Sequence, residues 1–92
     1  MSMLCKDPQA VIDQEVDWSA YLAGQMVVAS GWSVAPDEAG GITIEAEARE
    51  PSRTSARLAG GIVGRVYRVT NQVTLSDGQV DERSLTVRVE ER

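Results

Sequence analysis

Histidine and phenylalanine are absent from the 92 residues, and cysteine and lysine occur once each, as Cys5 and Lys6. Without histidine the commonest general base and metal ligand is gone, which excludes Ser-His-Asp triads, Cys-His pairs and histidine-based zinc sites. One cysteine cannot form an intramolecular disulfide, and that suits a reducing compartment better than a secreted mini-domain. With no imidazole or basic pocket to activate it, Cys5 reads as an incidental thiol. A serine-lysine pair would have to use Lys6, which lies in the opening segment and not in a formed site. Leu4-Cys5 has the form of a lipoprotein cleavage site, yet no apolar stretch stands before it. Nowhere does an apolar run approach the roughly 18 residues that a membrane-spanning helix needs, so no membrane partner is expected.

Aromatic residues are scarce, two Trp and two Tyr, and basic residues are outnumbered, 9 against 14 acidic, for a net charge of −5. Such a chain repels phosphate backbones and offers no row of rings for bases to stack on, which argues against nucleic acid. The length suits one two-layer core and is too short for two.

What is present is period-two alternation. Met1 to Pro8 is a mixed tail whose Asp7-Pro8 step disfavours a helix, and residues 1–9 read as an N-terminal arm on a single domain spanning 10–92. From Val11 to Trp18, Ile12, Val16 and Trp18 share one parity and Asp13, Glu15 and Asp17 the other, the mark of a half-buried strand. Ser19 to Gly24 offers an N-cap serine and a stopping glycine, enough for one helical turn at a corner. Met26, Val28, Trp32 and Val34 alternate next, with a bulge expected near Gly31. After the turn formers Pro36 to Gly41, Ile42, Ile44, Ala46 and Ala48 alternate with Thr43, Glu45, Glu47 and Arg49. Thr54, Ala56 and Leu58 follow against Arg53, Ser55 and Arg57.

The last third predicts a long hairpin. Tyr67, Val69, Val73 and Leu75 precede Asp77-Gly78, where glycine supplies the positive φ of a tight turn, and Leu85, Val87 and Val89 follow it. Parity slips between Val80 and Leu85, which predicts a bulge around Asp81 to Arg83. About six or seven short strands with regular turn signals and no helical period give an all-β, Ig-like antiparallel sandwich. Tyr67 enters the penultimate strand where such folds place a tyrosine that ties down a corner. Trp18, Trp32, Leu58, Tyr67, Val69, Leu85 and Val87 are the expected core.

Candidate chemistry is thin. Asp13, Glu15 and Asp17 share a strand face, but no calcium-loop spacing accompanies them, and a solvated face balanced by arginines on a neighbour is the simpler reading. Gly60-Gly61-Ile62-Val63-Gly64 opens no helix and lacks the Lys-Ser/Thr ending of a phosphate loop, so it reads as a turn. Arg65, Arg68, Arg83, Arg88 and Arg92 fall at strand spacing on an outward face. They meet either an acidic partner or Asp13, Glu15 and Asp17 within the fold. No cofactor, metal site or catalytic residue is expected.

Two stretches carry a resemblance. Lys6-Asp7-Pro8-Gln9-Ala10-Val11-Ile12-Asp13 runs on to Asp17-Trp18-Ser19-Ala20-Tyr21-Leu22. Tyr67-Arg68-Val69-Thr70-Asn71-Gln72-Val73 runs on to Asp77-Gly78 and Asp81-Glu82-Arg83-Ser84-Leu85-Thr86-Val87-Arg88-Val89. The chain resembles the small Ig-like structural proteins encoded among the virion genes of tailed bacteriophages and prophages, the fiber-tail adaptors. Its middle, Pro36 to Pro51, is more acidic than the family pattern.

The resemblance implies a non-enzymatic virion component that joins larger phage proteins, made in the host cytoplasm during assembly, and it leaves the oligomeric state open. Docking is expected through Lys6, Asp7 and Pro8 of the arm, through Arg65, Arg68, Arg83 and Arg88, or through an exposed strand edge. Removing residues 1–9 is then expected to spare the fold and abolish particle association. The competing expectation is a stand-alone Ig-like adhesive or carbohydrate-binding module.

Overall fold

Alternation of apolar and polar residues folds here into seven strands in two sheets, seen in a computed structural model that describes residues 2–91. They are β1 (Ser2–Lys6), β2 (Ile12–Asp17), β3 (Val27–Ala35), β4 (Ile42–Glu50), β5 (Arg53–Gly60), β6 (Val66–Leu75) and β7 (Val80–Val89). One sheet has the order β1-β7-β6-β3 and the other β2-β5-β4. β1 runs parallel to β7, and every other pairing is antiparallel. The domain measures 42 × 21 × 17 Å, a short rod with the strands along its length.

The opening segment is not an arm. Ser2 to Lys6 pairs with Leu85 to Val89 as an edge strand, Leu4 packs on the core, and Lys6 is buried. The chain then crosses to the other sheet at Asp7-Pro8. Asp7 accepts the Gln9 N–H on its side chain (2.8 Å) and the Ala10 N–H on its carbonyl (3.0 Å). Reading residues 1–9 as an appendage overlooked that β1 is too short to show alternation by itself.

Between the sheets lie two apolar clusters, one around Leu58, Tyr67, Val69, Val87 and Val89, the other around Trp18, Leu22, Val27, Val73 and Leu75. Of the expected core, all are buried except Trp32, which is partly buried against the first cluster. Two bulges redirect the strands. In β3 the register shifts between Val27 and Ala29, not at Gly31, so Val27 points inward while Met26 and Val28 are exposed. In β4 it shifts between Ile44 and Ala46, which puts Ala46 and Ala48 opposite Arg57 and Ser55 and turns Glu47 and Arg49 to the other side. Arg49 Nη1 there reaches the Val27 carbonyl at 3.2 Å.

The bulge expected at Asp81 to Arg83 does not exist, since β6 and β7 keep one register from Val66–Arg88 to Thr74–Val80. Arg83 occupies an inward position, opposite Asn71, near the uncovered end of the sheet. The single helical turn is a 3-10 turn over Ser19–Tyr21. Its capping contact is Asp17 Oδ1 accepting the Ser19 N–H at 2.9 Å, in place of a serine cap. Among the described residues no helix is long and apolar enough to cross a membrane.

Candidate docking surface

The stretches that carry the resemblance converge on the interior. Lys6 Nζ donates to the Asp7 carbonyl at 2.8 Å and the Gly60 carbonyl at 2.7 Å, which holds the sheet-switching corner against the end of β5. Burial of its ammonium pushes the Lys6 pKa below the usual lysine value, against a smaller opposing pull from Asp7. A lysine so placed presents no charge to a partner, which corrects its assignment as a docking residue. Asp7 and Pro8 form the corner itself, and their docking role was inferred from an arm that is a strand.

Asn71 is the polar hub between the sheets. Its Oδ1 accepts from Trp18 Nε1 at 3.1 Å and Thr54 Oγ1 at 2.6 Å, and its Nδ2 donates to Ser30 Oγ at 2.9 Å and the Gly31 carbonyl at 3.0 Å. Trp18 Nε1 also donates to Thr54 Oγ1 at 3.2 Å. All polar groups of the Asn71 side chain are thus engaged, as burial requires. Two motif fragments, Asp17-Trp18-Ser19 and Tyr67 to Asn71, meet at this point. The signal was available in the sequence: Asn71 lies on the inward parity of β6 between Val69 and Val73.

Tyr67 ties down its corner. Its hydroxyl accepts the Ile62 N–H at 3.1 Å and donates to Glu38 Oε1 at 3.0 Å. Burial raises its pKa above 10.0, and the Glu38 carboxylate adds to that, opposed by the Ile62 hydrogen bond. The Gly60 to Gly64 segment is the loop it fastens, and a Cβ on Gly61 (φ +111) would stand 2.6 Å from Val89 Cγ2. Tyr67→Phe is expected to lose about 1–2 kcal/mol near neutral pH. The raised pKa fixes the sign of a second effect. Its stabilisation is complete below about pH 10 and falls as pH rises further, because the unfolded phenol ionises first. Urea midpoints near neutrality and at about pH 11 should therefore lie closer together for the variant than for wild type, and an equal alkaline fall in both would contradict the assignment.

The arginines do not form one surface. Arg83 lies with its guanidinium 4.3 Å from the Tyr21 ring centroid and 5.7 Å from that of Trp18, and bonds the Tyr21 hydroxyl. Arg65 sits 3.8 Å from Glu38, and Arg88 pairs with Glu90 at 2.8 Å. Arg68 stands exposed on the outer sheet face between Ala35 and Thr86. Arg92 lies outside the described residues. None of the four bonds the β2 carboxylates. Those meet β5: Asp13 pairs with Arg57 at 2.9 Å and Glu15 with Arg53 at 3.6 Å. The Asp13 pKa is lowered first by the Arg57 hydrogen bond, and that of Asp17 first by the Ser19 backbone N–H. These are exposed pairs of a solvated face, worth little to stability.

A surface the sequence did not disclose opens on one flank. Beside Met3 and Leu4 of β1, a cleft of about 270 Å³ lies between the sheets, lined by Leu4, Val16, Trp32 and Leu85 and rimmed by Glu15, Asp17 and Arg83. The Trp32 indole nitrogen is buried with no hydrogen-bond acceptor among the described residues.

Comparison with known proteins follows the same lines. The model of one protein family, described as podophage GP4 fiber-tail adaptor protein gp77, matches residues 6–88. The chain belongs to that family. No curated protein matches it. Among solved structures it is similar to the solution structure of the PKD domain from KIAA 1837 protein, with TM-score 0.58 and 18% identity over 99% of this chain and 80% of that one. That likeness shows the Ig-like sandwich fold alone. In this member of the gp77 family, Lys6, Trp18, Tyr67, Asn71 and Arg83 all act on the fold.

Proposed function

We propose that this gp77-family chain is a non-enzymatic virion protein that joins two larger phage proteins where fiber meets tail. The observation that carries the reading is the family match over residues 6–88. A rod 42 Å long, with the Gly60 to Gly64 loop fastened by Lys6 and Tyr67, suits a spacer between larger bodies. Its ionisable side chains are engaged in ways that favour structure over chemistry: Lys6 is buried on two carbonyls, and Asp13 and Glu15 pair across strands. The protein is made in the host cytoplasm and resides in the virion, without nucleic acid, membrane or cofactor as partner.

A carbohydrate-binding module is less well supported. Sugar recognition needs exposed ring faces, whereas Trp18 and Tyr67 are buried and Tyr21 has Arg83 across its face. Mass spectrometry of particles purified after induction of the source strain tests the proposal. The chain is expected at a fixed copy number relative to the major capsid protein, and its absence from intact particles would overturn the reading.

A further inference from the structure

We infer that this protein forms a two-fold dimer in which β3 of one copy pairs antiparallel with β3 of a second copy, joining their four-stranded sheets edge to edge. The inference goes beyond the adaptor reading, which leaves the oligomeric state open, and it stands or falls without that reading.

β3 is an edge strand from the middle of the chain, with β6 on one side and no strand on the other among the described residues; β7 and β6 separate it from β1. Arg49 takes the Val27 carbonyl at its start, and beyond the bulge residues 29–35 run regularly against β6. Such an edge presents backbone N–H and C=O groups to an incoming strand, and proteins commonly blunt it with charge. β3 has none: Val27-Val28-Ala29-Ser30-Gly31-Trp32-Ser33-Val34-Ala35 is the one described strand without an ionisable side chain. Ala29, Gly31, Ser33 and Ala35 are exposed and too small to hold a second strand away. Met26 and Val28, 52% and 45% exposed, flank the start of the strand. Antiparallel pairing lays the end of the partner copy's β3 beside them.

Charge selects a second copy and selects this edge. In a protein of net charge −5, two copies meeting at β2 would set Asp13, Glu15 and Asp17 against themselves, and at bulged β4 Glu45, Glu47 and Glu50. Like charges directly opposite across a strand pair are destabilising. β1 offers five residues against nine in β3. At β3 no like charges are brought together from the strand itself. The hollow beside Ser30 is bordered by Glu47 and Arg49, one of each sign, so copies turned end for end can set one against the other.

Sedimentation equilibrium of the purified chain tests the dimer, with wild type expected to associate reversibly and to stop at two copies. The double variant Ala29→Glu with Ser33→Glu places carboxylates along the exposed side of β3 in both copies. It should weaken the dimer by at least about tenfold, while Gln9→Glu with Ser55→Glu, which adds the same charge away from β3, leaves it near wild type. Photo-crosslinking from p-benzoylphenylalanine at Ser33 of the otherwise unaltered chain keeps the test independent of how the charged variant folds. Peptide mapping is expected to find β3 of another copy. A wild-type chain that stays monomeric, association that continues past two copies, a dimer indifferent to the β3 carboxylates, or crosslinks that map away from β3 would each overturn the inference. Absence of the chain from virions would overturn the adaptor reading and leave the dimer untouched.

Discussion

Deleting residues 1–9 should unfold the protein or lower its stability by more than about 3 kcal/mol, in contrast with the behaviour of a removable arm. The deletion removes an edge strand, the Leu4 side chain from the core, and the Lys6 ammonium from the Asp7 and Gly60 carbonyls. Lys6→Ala isolates the last of these and should lose about 2–4 kcal/mol, since two buried carbonyls are left without a donor and a cavity opens. Lys6→Met, which keeps the volume, should recover part of that. The pKa direction adds a pH signature. A lysine whose folded pKa is depressed holds the folded state back while it is charged, so the Lys6 contribution improves as pH rises through the lowered value toward 10.5. The Met variant should lack that rise. Urea denaturation over neutral to alkaline pH reads both effects, and an N-terminally shortened protein with wild-type unfolding would show that β1 is dispensable.

The second large effect is expected at Asn71. Asn71→Ala leaves the Thr54 hydroxyl without its acceptor, weakens the hold on the Trp18 indole, and takes the Asn71 donor from Ser30 Oγ and the Gly31 carbonyl. A loss of about 2–4 kcal/mol follows, and with it a fall in thermal midpoint of roughly 10–25 °C for a domain this small. Asn71→Asp is the sharper control. Its second oxygen would face the Gly31 carbonyl, so a buried carboxylate there is destabilising when ionised, and its folded pKa should rise. Relative stability of that variant should therefore be best below about pH 4 and lost above it. Calorimetry of both variants checks the pair. A midpoint within a few degrees of wild type for Asn71→Ala would remove Asn71 from the centre of the fold.

Much of the fold was legible because six of the seven strands, β2 to β7, carry enough alternating residues to show a face. The Asp77-Gly78 hairpin and the Tyr67 corner were readable for the same local reason: a turn or cap is encoded in a few adjacent residues. The failures were of another kind. β1 and the Lys6 contacts depend on Gly60, 54 positions away, and no local pattern announces such a contact. The polar residues Asp81 and Arg83 on an inward parity suggested a bulge, but the strand is regular and Arg83 instead lies over Trp18 and Tyr21. Bulges at Val28 and Glu45 were misplaced or missed because small and apolar neighbours there fit either face. The flank cleft was invisible for a simpler reason: Leu4, Val16, Trp32 and Leu85 reach it from four different strands.

In the stretches that carry the resemblance, Lys6 and Tyr67 hold the corners and Asn71 the buried hub. The most direct test of the adaptor reading is the copy number of this chain per particle, measured for wild type and for Tyr67→Phe assembled well below its unfolding midpoint. The account predicts the same fixed copy number for both. Absence of the wild-type chain from intact particles, or loss of the folded Tyr67→Phe protein from them, would contradict it.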